Sequence, residues 1–241
     1  MNKPNLQYDT KSREARDTIG RRNFLRIAVF SGISSAQEVW SADQPSQPTP
    51  KESKMNSRLF TFVGSDIGPW RVVESRNIIG EALPPARRLN IVSGAIPVMP
   101  ADASWLLRGV TSNERYVTRP EKEQLVATQA GLGRPAADCA ALIPIRKNAA
   151  WWAMTQDERR KIFEDQSHHT VTGLKYLPAI ARRLHHCRDL DEAQPFDFLT
   201  WFEFAKADAG AFDRLLDGLR ATPEWTFVDR ELEIRLVRAS A

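Results

Sequence analysis

The sequence contains few cysteines, and this narrows the classes of protein that it can represent. Its 241 residues include two cysteines, Cys139 and Cys187, which lack the CxxC spacing of redox and metal-binding motifs. Two cysteines are too few for a disulfide framework or a cysteine-rich metal site. We therefore interpret each of them as a small buried residue.

Long apolar runs and a strong excess of one charge are also missing. The chain has 34 Lys and Arg against 30 Asp and Glu, and its basic residues alternate with acidic ones instead of forming a stripe. This distribution predicts no nucleic-acid partner. The apolar run at residues 27–30 is too short to span a bilayer, so no membrane span is predicted. With 42% hydrophobic residues, the chain is expected to be globular, with one large core or two small ones.

The first 57 residues differ in composition from the rest of the chain. Residues 1–42 contain Arg21-Arg22, then Phe24-Leu25 and the basic Arg26, before a weakly apolar stretch. This order resembles a bacterial twin-arginine export signal, and it predicts a periplasmic protein. Residues 43–57 are interpreted as a Pro-rich linker. The alternative is a plain basic tail with Met55 as the true start, which would leave the protein in the cytoplasm.

Strand and helix patterns alternate from Arg58 onward. Period-two patterns predict strands at residues 59–63, 107–118, 141–145, 196–204 and 227–237. Helices are predicted at residues 121–130, from a capping box at Thr155 to Glu158, and around Phe212 to Leu219. This order predicts an α+β fold with helices on one face of a half-buried antiparallel sheet, as two ferredoxin-like halves of a dimeric α+β barrel type. The halves are assigned to residues 58–135, the reduced one, and 136–241.

Four histidines fall in one short segment, as the pairs His168-His169 and His185-His186, with Arg182-Arg183 between them. Neutral imidazole binds metals and an arginine keeps its charge at any working pH, so the segment indicates a metal or haem centre that handles an anion. A zinc site is the poorer alternative because no HExxH motif occurs. We interpret His185 and His186 as structural or surface residues.

A bend must bring the two ends of this segment together. His169 is predicted to lie on the helix opened by Thr155, and Arg182 follows thirteen residues later. On one straight helix they would lie roughly 20 Å apart on different faces. A break at Gly173 or Pro178 would let both side chains reach one site.

Three motifs together resemble the chlorite dismutase family, and they match its short, dimeric lineage best. They are Ser-His-His-Thr at residues 167–170, the segment at 173–186, and the alternating aromatic segment at 196–204. The similarity extends from about Leu59 to Arg238 and includes Trp151-Trp152. It implies a homodimer in which each subunit binds one haem b in its C-terminal half. It also implies conversion of chlorite to chloride and molecular oxygen through a ferryl/hypochlorite rebound step.

The resemblance implies a role for particular residues on each side of the haem. On the proximal side, His169 would bind the iron, next to His168, and Glu224 would hold the second nitrogen of the ligand. On the distal side, Arg182 would hold the anion, with Arg183 as the second choice. Softer matches place Gln129 beside the distal arginine. They place three residues on the proximal side, Lys147, Trp151 and Trp152. Asn113 and Tyr116 would lie near the haem propionates.

Each of these positions has a simpler interpretation. Glu224 would otherwise be a solvated acid at a helix end, the two arginines surface charges on an amphipathic helix, and the aromatics plain core.

Two other functions share the fold that the resemblance implies. One is a coproporphyrin-haem decarboxylase, whose distal pocket lacks the arginine. The other is a haem carrier or sensor without catalytic activity.

Overall fold

The computed structural model describes residues 58–96, 98–113 and 115–239. All of them fall within one compact unit. The predicted export signal at residues 1–42 and the linker at 43–57 lie outside the described residues. Within the described residues, no helix is long and apolar enough to cross a membrane.

Eight antiparallel strands close into a barrel. In space they follow the order β1-β3-β2-β8-β5-β7-β6-β4. The strands are β1 Leu59–Ser65, β2 Trp70–Ile79, β3 Arg88–Ser93, β4 Ala103–Thr111, β5 Cys139–Lys147, β6 Ala181–His186, β7 Phe198–Phe204 and β8 Val228–Arg238. The two ladders that join β2 to β3 and β4 to β6 contain two residue pairs each, whereas β2 and β8 pair over eight.

Short helices connect the strands. They are α1 Arg119–Thr128, α2 Ala149–Ala153, α3 Gln156–Arg160, a π-helix Lys161–Gln166, α4 His169–Leu174 and α5 Ala209–Arg220. Two 3₁₀ turns, Lys206–Asp208 and Pro223–Phe227, flank α5. The structure therefore confirms the predicted α+β class with antiparallel sheet. The first four strands are neighbours in the ring, as are the last four, while the subdomain boundary at residue 135 stays a prediction.

Alternation along the strands creates two cores, since successive side chains of a strand point to opposite faces. Leu142, Trp201 and Ile234 belong to the core inside the barrel. Ile143 and Phe202 belong to a second core that packs on α5. Strands β5 and β7 are thus buried on both faces. Helices cover the outer face, and a site can form between the sheet and these helices.

Three strands were not predicted, and one was predicted too long. Strand β2 has an exposed, polar outer face, and β3 is short. Strand β6 reads Ala-Arg-Arg-Leu-His-His, with polar residues on both faces, so it lacks the apolar alternation of a typical strand. The predicted strand at 107–118 ends at Thr111, because the chain turns before Tyr116, whose φ is 66°.

The predicted long helix from Thr155 is interrupted, and Arg182 lies on a strand. The helix passes into the π-helix, which ends at Gln166, and His168 follows with a left-handed φ of 50°. A new helix, α4, begins at His169. Pro178 follows it, and the chain then enters β6, so the interpretation of Arg182 as a helical residue was wrong.

The prediction of a half-buried sheet was wrong at β8. The face that carries Glu231 and Glu233 was expected to be solvated, yet both residues are 0% exposed. Arg220 of α5 donates to both carboxylates, at 2.6 and 2.7 Å. Burial of charge is tolerated there because each carboxylate is paired and hydrogen-bonded.

Candidate active site

A cavity lies between the outer face of the sheet and the helices. Strands β5, β6 and β7 form one wall, and α4, α5 and the π-helix contribute to the other. The empty space amounts to about 1070 Å³, including the part that is open to solvent. Its walls are largely apolar, with Ile143, Ile145, Phe198, Phe202, Leu215 and Leu216 among them.

Most residues that the sequence singled out meet in this cavity. Those that line it are Asn113, Tyr116, Lys147, Trp151, His169, Arg182 and Glu224. They come from segments as far apart in sequence as the loop after β4 and the 3₁₀ turn before β8. Gln129 lies in an adjoining groove that shares Arg182 and Asn113 with the cavity, and Trp152 is not on the cavity wall.

His169 is held by a buried carboxylate. Its Nδ1 lies 2.7 Å from Oε2 of Glu224, and its ring stacks on Phe163 with centroids 4.3 Å apart. The Glu224 side chain is 6% exposed and that of His169 is 27% exposed. The second ring nitrogen of His169 has no partner among the described residues. A hydrogen bond of this kind fixes the tautomer and raises the basicity of the imidazole as a ligand.

Lys147 completes a chain of charges behind His169. Its Nζ donates to Oε1 of Glu224 at 2.8 Å and to the Glu224 carbonyl at 3.2 Å. Burial by itself raises the pKa of the Glu224 carboxyl, but its interactions with His169 and Lys147 outweigh burial and hold the pKa at about 2. Glu224 is therefore ionised at neutral pH, and the interpretation of it as a solvated helix-end acid was wrong.

The turn at His168 points the two neighbouring histidines in different directions. His168 is exposed and His169 lines the cavity. Buried Glu164 secures the turn, because its Oε2 accepts from the Thr170 N–H at 2.8 Å and its carbonyl accepts from the His168 N–H at 2.9 Å. Glu164 thus satisfies one of the main-chain donors that every helix start leaves open.

Arg182 is the cation of the opposite wall. It projects from the outer face of β6, and burial lowers the pKa of its guanidinium. Within the described residues no carboxylate pairs with it, while an arginine remains charged at any working pH. An uncompensated cation in an apolar cavity attracts small anions, because charges interact strongly where the dielectric constant is low.

Arg183 does not share this cavity. Its guanidinium lies 4.8 Å over the ring of Phe60, on the other face of β6. The interpretation of Arg183 as the second choice for the anion-binding role was therefore wrong, because neighbouring residues of a strand face opposite sides.

Gln129 contacts the main chain of Arg182. Its Nε2 donates to the Arg182 carbonyl at 3.0 Å. The resemblance implies a hydrogen bond between Gln129 and the arginine, and in the structure the acceptor is the backbone oxygen. Gln129 therefore holds the strand that carries the guanidinium.

Asn113 and Tyr116 shape the mouth of the cavity. Oδ1 of Asn113 accepts from the Leu184 N–H at 2.9 Å. The Tyr116 hydroxyl accepts from Arg159 at 3.1 Å, and its ring meets Trp151 edge-on at 6.0 Å. This rim is therefore built from polar groups and aromatic rings.

Of the two adjacent tryptophans, Trp151 lines the cavity and Trp152 packs behind the cavity wall. Trp151 lines the cavity, is 1% exposed, and its Nε1 has no hydrogen-bond partner among the described residues. Trp152 stacks on Phe198 at 6.0 Å, and its Nε1 donates to Asp197 at 3.0 Å. Trp152 therefore supports the wall from behind.

His185 and His186 are buried, so of the two interpretations, structural or surface residues, the structure supports the structural one. Burial lowers the pKa of both imidazoles to about 4, and the positive charges of Arg183 near His185 and of Arg115 near His186 lower it further, while the Leu199 carbonyl and Asp189 act in the opposite direction. Nδ1 of His185 lies 3.1 Å from the Leu199 carbonyl inside the barrel. Both are therefore neutral at pH 7, and neither lines the cavity.

Two residues of the site carry no sequence signal of their own. Glu164 and Asp197 are buried acids that bind main-chain N–H groups. The ring stacking of Phe163 on His169 carries no sequence signal either, because residues six apart on the predicted helix would lie on different faces.

The fold and the cavity define a class of protein: an α+β barrel that carries, on the outer face of its sheet, a cavity lined by a histidine hydrogen-bonded to a carboxylate and by a partly buried arginine. A family model described as chlorite dismutase matches residues 98–238. The chain belongs to the chlorite dismutase family.

Individual relatives agree with this assignment. A chlorite dismutase from Ideonella dechloratans is 35% identical over 131 residues, which are 52% of this chain and 42% of that protein. The match thus spans less than half the length of that curated relative.

Solved structures match over more of the chain. Dimeric chlorite dismutases from Nitrobacter winogradskyi share 56% identity and a TM-score of 0.69, over 75% of this chain and 99% of theirs. A mutant chlorite dismutase from Candidatus Nitrospira defluvii in complex with cyanide is 20% identical, with a TM-score of 0.55, over 80% of this chain and 96% of its own. The latter likeness concerns the fold alone.

Proposed function

We propose that the protein is a haem b-dependent chlorite dismutase, which converts chlorite to chloride and molecular oxygen. The observation that carries the proposal is the placement of two groups on one apolar cavity. His169, tied to ionised Glu224, offers a ligand nitrogen, and Arg182 offers a cation with no carboxylate partner in the described residues. Relatives that bear the name chlorite dismutase support the choice of reaction.

The residues of the cavity fit a haem. Its apolar walls suit a porphyrin, and the rim provides polar side chains for propionate groups. The Trp151 Nε1–H and the Thr170 hydroxyl are buried on the cavity wall without a partner in the described residues. A buried donor without a partner is costly, so these two atoms favour a bound group with acceptor oxygens.

The proximal residues prepare His169 as a ligand. Glu224 accepts a hydrogen bond from the Nδ1–H of His169, so that the other nitrogen is left with its lone pair, and the carboxylate raises the electron density of the ring. Lys147 keeps Glu224 ionised by balancing its charge. Phe163 restricts the rotation of the ring by stacking on it.

The distal residues bind and retain the anion. When bound, haem iron would supply oxygen-atom transfer from chlorite, and the protein supplies the environment. Arg182 attracts chlorite into the cavity and, by its charge, retains the hypochlorite that is left when chlorite gives up one oxygen atom. Gln129 holds the main chain of Arg182, and the apolar wall excludes water.

One spectrum and one activity trace test the proposal. Protein loaded with haem should show the absorption of a histidine-ligated ferric haem and should release oxygen from chlorite at an oxygen electrode. The variant His169→Ala should lose stable haem binding, whereas the neighbouring control His168→Ala should keep it. Haem binding without oxygen release would favour the carrier or sensor, and decarboxylation of coproporphyrin haem would favour the decarboxylase.

We also propose that the protein is a homodimer. The relatives that match it over 99% of their length are described as dimeric. Light scattering of the purified protein should give twice the mass of one chain, and a pentameric mass would contradict the assignment to the short lineage.

A further inference from the structure

Asp197 is a buried acid that takes no part in the cavity wall. It precedes β7 and is 5% exposed. Its Oδ2 accepts two hydrogen bonds, from the Lys147 main-chain N–H at 2.7 Å and from the Trp152 indole N–H at 3.0 Å. Burying a carboxylate is costly unless it is bound in this way.

Asp197 acts at the point where the ladder of β5 becomes irregular. The pairing between β5 and β8 shifts register between Arg146 and Lys147. The Lys147 N–H donates to the Asp197 carboxylate there, and the Asp197 N–H donates to the Ile145 carbonyl at 2.9 Å. This exchange fixes the direction in which Lys147 leaves the strand.

The side chain of Lys147 depends on that direction. Its Nζ reaches Oε1 of Glu224 at 2.8 Å and lies 4.5 Å over the Trp151 ring. The Lys147 side chain is 3% exposed, so no other position is open to it in solvent. The main-chain anchor at Asp197 therefore decides whether the ammonium meets Glu224.

Trp152 and Arg188 cover the anchor from the outer side. The Arg188 guanidinium lies 3.5 Å from Oδ1 of Asp197 and 4.1 Å over the Trp152 ring. It is half-exposed, so its contribution is small. The two hydrogen bonds to Oδ2 are what hold the carboxylate in place.

We propose that Asp197 is a positioning residue for the proximal site, because it fixes Lys147 against Glu224 and thereby sets the electron density of the His169 ring. The inference rests on the proposed haem function. It adds a residue that touches neither the cavity nor His169, and it assigns the chain Asp197 to Lys147 to Glu224 to His169 as one unit.

The test combines two variants of Asp197 with a neighbouring control. Asp197→Ala removes the acceptor, whereas Asp197→Asn keeps one oxygen that can accept both N–H groups. Asp229→Ala is the control, because Asp229 accepts from the Arg146 guanidinium, one residue before Lys147, at 2.8 Å. The readouts are the reduction potential of the bound haem, the iron–histidine stretching frequency, haem affinity, and hydrogen exchange at the Lys147 amide.

Asp197→Ala should shift the potential and the stretching frequency in the same direction as Lys147→Met. It should also weaken haem binding about tenfold, the usual scale for a group that supports a metal ligand. Asp197→Asn should restore most of each property, and Asp229→Ala should change none. In the double variant with Lys147→Met, loss of Asp197 should add nothing.

Three results would overturn the inference. One is an Asp197→Ala protein whose potential matches the parent while only its melting temperature falls. Another is an effect that adds to that of Lys147→Met. The third is unchanged hydrogen exchange at the Lys147 amide, which is measured without haem. Failure of the parent protein to bind haem would instead reject the proposed function, and the exchange measurement would still decide whether Asp197 anchors Lys147.

Discussion

Arg182 and Arg183 are adjacent in sequence, but their guanidinium groups lie on opposite faces of β6 and have different surroundings. Arg182 faces the cavity without a carboxylate partner in the described residues, and Arg183 stacks on Phe60. The same residue type thus serves an anion site at one position and the barrel core at the next.

Arg182→Ala should leave haem binding intact and lower chlorite turnover by about 10²-fold, because one electrostatic stabiliser is lost from a largely apolar cavity. Hypochlorite caught by an added scavenger should increase, and the enzyme should bleach sooner. Oxygen yield per chlorite, measured together with the scavenger product, checks both effects.

Arg183→Ala is the matched control, since its charge lies on the other face of β6. It should cost some stability through the lost contact with Phe60 and leave turnover near that of the parent. Equal losses in the two variants would contradict the assignment of Arg182.

His185 should make the stability of the protein depend on pH. Its folded pKa is lowered to about 4 from an ordinary 6.5, first by burial. Between these values the unfolded chain binds a proton that the folded chain does not, so the free energy of unfolding falls as pH drops from 6.5 towards 4 and levels off below. The full effect is a few kcal/mol.

His185→Gln removes this titration and keeps a donor for the Leu199 carbonyl. Urea unfolding at pH 7 and pH 5 should show a smaller loss of stability in the variant than in the parent. His186 has a similar shift and should keep part of the dependence. A variant with the full dependence of the parent would show that His185 is not its source.

The residues that the sequence could predict are those whose chemistry is rare. Paired histidines beside paired arginines stand out in any chain, and the family resemblance adds Glu224 and Lys147 to them. Asp197 and Glu164 could not be predicted, because their partners are main-chain N–H groups that every residue carries. Their roles become visible only when the backbone is placed.

At the scale of elements, the segment from α3 to α4 places His169 at the cavity because one helix ends just before it and another begins there. The π-helix widens the last turns, His168 reverses the backbone direction, and His169 starts a new helix at the cavity. Glu164 links the two parts, as its carboxylate binds the first turn of α4.

Glu164→Ala should loosen this link. The Thr170 N–H loses its acceptor in a buried place, which costs about 1–3 kcal/mol, and haem affinity should fall because His169 is less well held. Melting temperature and haem titration check the two effects.

Glu158→Ala serves as the control for the Glu164 variant. It removes the exposed capping box at Thr155, which is worth about 1 kcal/mol, and should leave haem affinity unchanged. Glu164→Gln should restore both properties, since its amide oxygen can still accept from Thr170. Equal haem affinity in all three variants would show that Glu164 has no part in placing His169.

Strand β6 explains why sequence patterns locate elements unevenly. The pattern rule depends on one apolar and one polar face, and it succeeded for β1, β5, β7 and β8. In β6 the cavity face carries Arg182 and the inner face carries His185. Both faces therefore contain polar residues, and the alternation by which a strand is recognised is missing.

For the whole molecule, we propose that the cellular location of the protein is set by the export signal predicted at residues 1–42, outside the described part. We expect the chain to be exported in folded form, through Arg21 and Arg22, and found in the periplasm without residues 1–42. Replacing both arginines by lysine should leave full-length protein in the cytoplasm. Fractionation of native cells measures this, and cytoplasmic full-length parent protein would support Met55 as the start or a basic tail.

The two short ladders of the barrel have a consequence for how the protein unfolds. Strands β3, β1 and β4 pair extensively with one another, but they join the remaining five through two residue pairs at each side. We expect this block to open before the rest of the barrel, because few ladder hydrogen bonds join it to the other strands, and the core inside the barrel is what opposes its opening. Its release would free Asn113, which follows β4, while His169, Glu224 and Arg182 all stay on the block that remains folded.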